Sequence, residues 1–217
     1  MTTSARWWTA LTAAALLAGS VGCVTKGKYN DLVTERDQLQ ANRDALAASN
    51  SELSEKLAVT EIEVAELRDT YNALVSELQT EVAAGQIEIR QLIDGIQLNV
   101  SDELLFPSGS ADLNAIGDKF LGRVADQIKG EGAIISVEGH TDNVGISSSL
   151  KQRYPTNWEL AGARAASVVR VLSEAGMDPK SLRAVSRGPF APVASNDTPE
   201  GRAKNRRTEI IVRPAPR

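Results

Sequence analysis

The chain has 217 residues, with 24 Lys and Arg against 28 Asp and Glu, one His, one Cys and only 4% aromatic residues. A single Cys excludes an intrachain disulfide framework, and one His with one Cys excludes a His- or Cys-rich metal site. Residues 28–95 carry 6 basic and 14 acidic side chains while residues 96–217 carry 16 and 14, so the acid sits in the middle and the folded-looking part is nearly neutral. That balance argues against nucleic acid as a partner.

In chain order, Arg6 precedes an apolar run over residues 7–22 that ends at the lone Cys23. The run is shorter than the roughly 20 residues a membrane helix needs, and it follows the order of a secretory signal. Ser20-Val21-Gly22-Cys23 resembles the bacterial lipobox, with Ser20 where Leu is usual. The resemblance implies a signal peptide over 1–22, a lipidated N-terminus over 23–27, and a membrane held through acyl chains on Cys23. Val24 rather than Asp after the modified residue implies the outer membrane, with the protein facing the periplasm. A plain secreted protein with an incidental Cys is the alternative.

Residues 28–84 contain neither Gly nor Pro and are rich in strong helix formers, so one long helix is predicted within a spacer over 28–95. Leu32, Leu39, Leu46, Leu53, Leu67 and Leu74 share one seven-residue phase, and Leu57, Val64, Tyr71 and Leu78 share a second. These are the d and a positions of a coiled coil, expected to pair as a parallel homodimer because both chains would be tethered at their N-termini. The earlier a positions are Arg36, Arg43 and Asn50, which zip poorly, although Asn50 favours two strands in fixed register. A solvated single helix, or one folding back on its own domain, is the alternative. Gly85 and Gly95 loosen the end of the run.

A domain over 96–217 follows. Residues 96–101 alternate as a strand, Ser110 is placed to cap a helix carrying Leu113, Ile116, Phe120, Leu121, Val124 and Ile128 and ending near Gly130, and residues 133–139 read as a buried strand. Thr156 and Glu159 form a capping box for a helix that stops at Gly176, and residues 182–187 and 208–213 supply two more strands. The order predicts an α+β fold, a βαβαβ-type mixed sheet with two helices on one face.

On the second helix, at about 100° per residue, Arg164 and Asn157 fall inside the apolar stripe, whereas Ser167, Arg170, Glu174 and Glu159 fall opposite it. A guanidinium on a buried face needs an anion. One reading is a structural ion pair with Asp142 or Glu138. The other is a bidentate grip on a ligand carboxylate, with Asp142, just past a strand end, meeting the ligand's ammonium.

GHTDNVG (139–145), NWELAGARA (157–165), GRAKNRRTEI (201–210) and FPSGSADL (106–113) resemble the OmpA-like peptidoglycan-binding domain, a match over residues 96–213. The resemblance implies binding of the diaminopimelate residue of the peptidoglycan stem peptide: Asp142 to its ammonium, Arg164 to its carboxylate, with Asn157 a further contact. Gly109 and Val144 sit where backbone contacts are implied, and Asn205, Arg206 and Arg207 match a closing motif that shapes the site and its rim. On this reading Arg164→Ala abolishes peptidoglycan binding and leaves the fold intact. The segment 143–156 is longer than in many relatives and resembles MotB-type flagellar stator subunits, which makes an inner-membrane anchor the rival function. His140 is the only candidate base for a cell-wall hydrolase. No second His, no Cys in the domain and no G-x-S-x-G elbow accompany it, so no enzymatic activity, cofactor or metal is expected.

Overall fold

The computed structural model describes residues 25–129 and 132–215, so Cys23, the signal segment and Gly130 lie outside the described residues. The chain divides into two compact units, 1–59 and 60–217. The first element, α1 (Lys26–Glu77), belongs to both.

In the first unit the helix keeps its apolar positions in water: Leu32, Leu39, Leu46, Leu53 and Leu57 are all more than half exposed. Its charges pair locally, for example Lys56 with Glu52 at 2.7 Å one turn away, contacts worth only tenths of a kcal/mol each.

In the second unit the same seven-residue phase turns inward. Leu74 and Leu78 are fully buried, and Leu67 and Tyr71 pack against the same cluster. Here the alternative of a helix folding onto its own domain holds, so these four residues are core, not seam. Arg123 fastens the helix end by donating to the Glu77 carbonyl at 3.3 Å and pairing with Glu81 on the short helix α2 (Gln79–Ala83).

The sheet begins earlier than residue 96. Strand β1 (Ile87–Leu92) pairs antiparallel with β2 (Gly95–Ser101) across a two-residue turn, Ile93–Asp94, so part of the expected spacer is an edge strand. A single-turn helix α3 (Asp102–Leu105) follows, then α4 (Ala115–Ile128), β3 (Ala133–His140), α5 (Asn157–Glu174), β4 (Leu182–Gly188), α6 (Pro199–Asn205) and β5 (Arg207–Pro214). Strand order is β1-β2-β5-β3-β4, and only β3 and β4 run parallel, as a helical crossover between them requires.

Alternation sorts the sheet into two faces. Ile96, Leu98, Val100, Ile135, Val137, Ile210 and Val212 join Phe120, Leu121 and Val124 of α4 and Val168 and Leu172 of α5 in one core. The other face carries the ladder Asn99, Glu209 and Glu138, paired in register.

The cap of α4 is Asn114, whose Oδ1 accepts from Gly117 N at 2.7 Å, and not Ser110. Ser110 instead accepts from Asp112 N at 2.8 Å, closing a local turn that competes with helix entry. The capping box of α5 forms as predicted. Ser167, expected opposite the stripe, is buried with Arg164, Ala165 and Val168, so the covered face of α5 is wider than the apolar residues alone indicate.

Candidate functional site

The loop after β3 and the start of α5 meet at one end of the sheet. A Cβ on Gly139 would run into the backbone of Ala161. Glycine there lets strand and helix close together, which sets Asp142 beside Asn157. The Asp142 carboxylate accepts from Val144 N at 3.0 Å through one oxygen and pairs with Arg206 Nη1 at 3.0 Å through the other. Asn157 Nδ2 donates to the Val144 carbonyl at 2.9 Å and to that of Asp142 at 3.4 Å. Val144 thus serves through its backbone, and its side chain is 55% exposed.

Arg164 is buried, at 6% exposure. Its Nη1 pairs with Asp102, its Nε donates to the Ser110 carbonyl at 2.9 Å, and its Cζ lies 5.2 Å from the centre of the Phe106 ring, over its face. The structural partner is therefore neither Asp142 nor Glu138. Glu138 is taken by Arg187 at 2.6 Å, while Asp102 also accepts from Thr208 Oγ1 at 3.1 Å. Burial pushes the Asp102 carboxyl up from its usual range, against the pull of Arg164.

Arg206 joins the two halves. Its carbonyl accepts from Asp102 N at 3.1 Å, while its side chain bridges Asp142 and Glu103, the latter at 3.1 Å. Three carboxylates (Asp102, Glu103, Asp142) face two guanidiniums (Arg164, Arg206), leaving one negative charge in excess. Such a cluster favours a cationic group. Nη2 of Arg164 takes part in none of these bonds.

The longer loop is docked on the segment before α4. Arg153 forks onto Asp112 with both contacts at 3.2 Å, and Tyr154 is buried with Ala111 and Leu160. Gly109 sits under Leu150, with φ +70° that favours glycine.

Asn205 and Arg207 do not line a rim. Asn205 is fully buried and clips the 193–196 loop, accepting from Val193 N and Ala194 N at 2.8 and 3.0 Å. Strand alternation carries Arg207 to the opposite sheet face, where it forks onto Glu209 at 2.8 and 2.6 Å. Of the closing motif, Arg206 alone reaches Asp142.

On that opposite face Glu138, His140 and Glu209 each bring one ligand atom within 4.8 Å of the others. A cation there would have to displace the Arg187 and Arg207 forks, and Gln97 Nε2 holds the remaining Glu209 oxygen at 2.7 Å. Among the described residues neither ring nitrogen of His140 has a hydrogen-bond partner, although Nε2 lies 3.5 Å from a Glu209 carboxylate oxygen. Burial first, then the Arg207 guanidinium, pulls its pKa down to about 4. The unfolded chain takes up this proton near 6.5, so stability present above that pH drains away as pH falls toward 4, by about 3 kcal/mol in all. Urea midpoints measured from pH 7.5 to 4 should show a steeper loss for the wild type than for His140→Gln; parallel curves would contradict the assignment.

Residues 105–206 match the model of the OmpA family. These residues form an OmpA-family domain. The chain is 37% identical over 122 residues to the probable lipoprotein YiaD of Escherichia coli K12, covering 56% of this chain and 52% of that protein. It is 37% identical over 110 residues to the peptidoglycan-binding protein ArfA of Mycobacterium tuberculosis H37Rv, covering 50% and 32%. A crystal structure of a putative MotB-like protein from Desulfovibrio vulgaris superposes with a TM-score of 0.64 at 29% identity, over 72% of this chain and 99% of that one. The chain spans about half or less of the length of these two curated relatives. Among the described residues no helix is long and apolar enough to cross a membrane.

Proposed function

We propose that this chain, with its OmpA-family domain, is an outer-membrane lipoprotein that grips peptidoglycan non-covalently from the periplasmic side. In this reading Cys23 carries the lipid anchor, the helix beyond it is a spacer that pairs with a second copy, and the C-terminal domain binds the diaminopimelate of the stem peptide. Asp142 receives the ammonium, the Arg164 guanidinium receives the carboxylate, and Asn157 holds the Val144 backbone in place for the ligand.

The observation that carries the reading is the linked ionic cluster at the end of the sheet. Asp142 and Arg164 are joined through Arg206 and Asp102 without being paired to each other, and the cluster keeps one unbalanced negative charge. A zwitterionic amino-acid end supplies one charge for each group. The peptidoglycan-binding name borne by ArfA supports peptidoglycan as the ligand.

Asp142→Asn tests it. The amide can still accept from Val144 N, so the loop keeps its shape, but the charge is gone. Binding to purified sacculi, read by co-sedimentation of the full chain, should weaken about 10- to 100-fold, the worth of a charged hydrogen bond. Retention at wild-type strength would remove Asp142 from the site.

The rival is an inner-membrane stator subunit, which the likeness to a MotB-like structure favours. A stator subunit requires a spanning helix, whereas an outer-membrane lipoprotein requires acylation. Mass spectrometry of the mature N-terminus should find acylated Cys23; an unmodified, uncleaved N-terminus would favour the rival.

A further inference from the structure

Trp158 is the second residue of α5, directly after Asn157, and its indole stacks on the ring of Phe190 with centroids 5.2 Å apart and planes 27° from parallel. Both rings stand in water: Trp158 is 46% and Phe190 70% exposed. With so few aromatics in the chain, two of them stacked in the open is not the scattered exposure that any surface shows.

The pair is held rigidly. Gly188, with φ +53°, lies under the indole, where a Cβ would stand 3.4 Å from the ring. Ser186 Oγ donates to the Trp158 carbonyl at 2.9 Å, and Phe190 N donates to Arg187 O at 3.3 Å, closing the turn that carries the second ring. The same backbone holds the proposed stem site: Thr141 N, one residue before Asp142, donates to the Gly188 carbonyl at 3.0 Å. Platform and ionic cluster are therefore neighbours through two independent links, the Asn157–Trp158 peptide and the Thr141–Gly188 hydrogen bond.

We propose that the Trp158–Phe190 pair is a sugar subsite, a platform for one pyranose ring of the glycan that bears the stem peptide bound at Asp142. The proposal rests on the peptidoglycan-binding function proposed for the ionic cluster. A pyranose presents a face of C–H bonds polarised by neighbouring oxygens, and this face complements the negative face of an aromatic ring. Its hydroxyls stay at the edges, free for water. A protein partner fits less well, because a stable interface buries about 1,200 Å² or more in total, far beyond two rings.

The test compares two probes by calorimetry on the full chain: a free stem tripeptide ending in diaminopimelate, and the same tripeptide attached to its disaccharide. The wild type should bind the sugar-bearing form about three- to tenfold more tightly. Phe190→Ala, in an exposed turn, should bind both forms alike and at the strength of the wild type for bare peptide, and Phe190→Tyr should restore the preference. A preference undiminished in Phe190→Ala, or none in the wild type, overturns the platform while leaving the stem site standing. Failure of the wild type to bind either probe overturns both.

Discussion

Arg164→Ala is expected to destabilise the domain by about 3–5 kcal/mol, the toll of leaving one member of a buried ion pair without its partner. Asp102 is 4% exposed, and after the substitution its carboxylate would keep the Thr208 Oγ1 hydrogen bond and the longer-range pull of Arg206 and Arg207, but lose its ion-pair partner. The expectation from sequence alone, loss of ligand with an intact fold, therefore does not survive the structure. Urea unfolding of Arg164→Ala, Asp102→Asn and the double variant separates the terms. The double variant should be more stable than the two single losses combined, with a coupling of about 0.5–3 kcal/mol. Strict additivity would mean that the pair does not act as a unit. Ligand recognition is better read from Arg164→Lys, which keeps the charge facing Asp102 but loses the planar fork that a carboxylate grips.

A buried structural partner beside the proposed ligand role leaves the site half legible in the sequence. Arg164 stood out because a guanidinium on an apolar stripe violates the pattern around it, and Asp142 and Asn157 stood out by motif and position. Asp102 gave no such signal. It lies on a single helical turn between a strand and a loop, too short for any periodicity to show which way its side chain points. Arg206 and Arg207 looked equivalent in sequence, and only the start of β5 between them decides that one reaches Asp142 while the other crosses to Glu209.

A helix cap is legible where two residues signal it together and ambiguous where one stands alone. Thr156 was supported by Glu159 three residues on, and the box formed. Ser110 had no such second residue, and its hydroxyl found Asp112 N nearer at hand. Strand β1 is hidden differently: Ile87, Ile89, Leu92, Ile93 and Ile96 start a pattern distinct from the helix, but so short a stretch after so long a helical run does not by itself mark an edge strand. The strand shows itself once β2 pairs with it across Ile93–Asp94.

The heptad phase poses the last question, because one repeat serves two purposes. Leu74→Ala should cost the C-terminal domain about 2–5 kcal/mol, since the side chain is fully buried among Leu78, Ile96, Leu98 and their neighbours and a cavity would remain. Leu46, in the same phase but 65% exposed, has no core to lose. Leu46→Ala should leave the unfolding midpoint of the C-terminal domain unchanged and weaken only the pairing of copies, read by sedimentation equilibrium. Opposite responses at two positions of one repeat would place the crossover from seam to core between them. If Leu74→Ala instead altered association and spared the domain, the helix end would belong to the spacer after all, and the core would have to begin at the sheet.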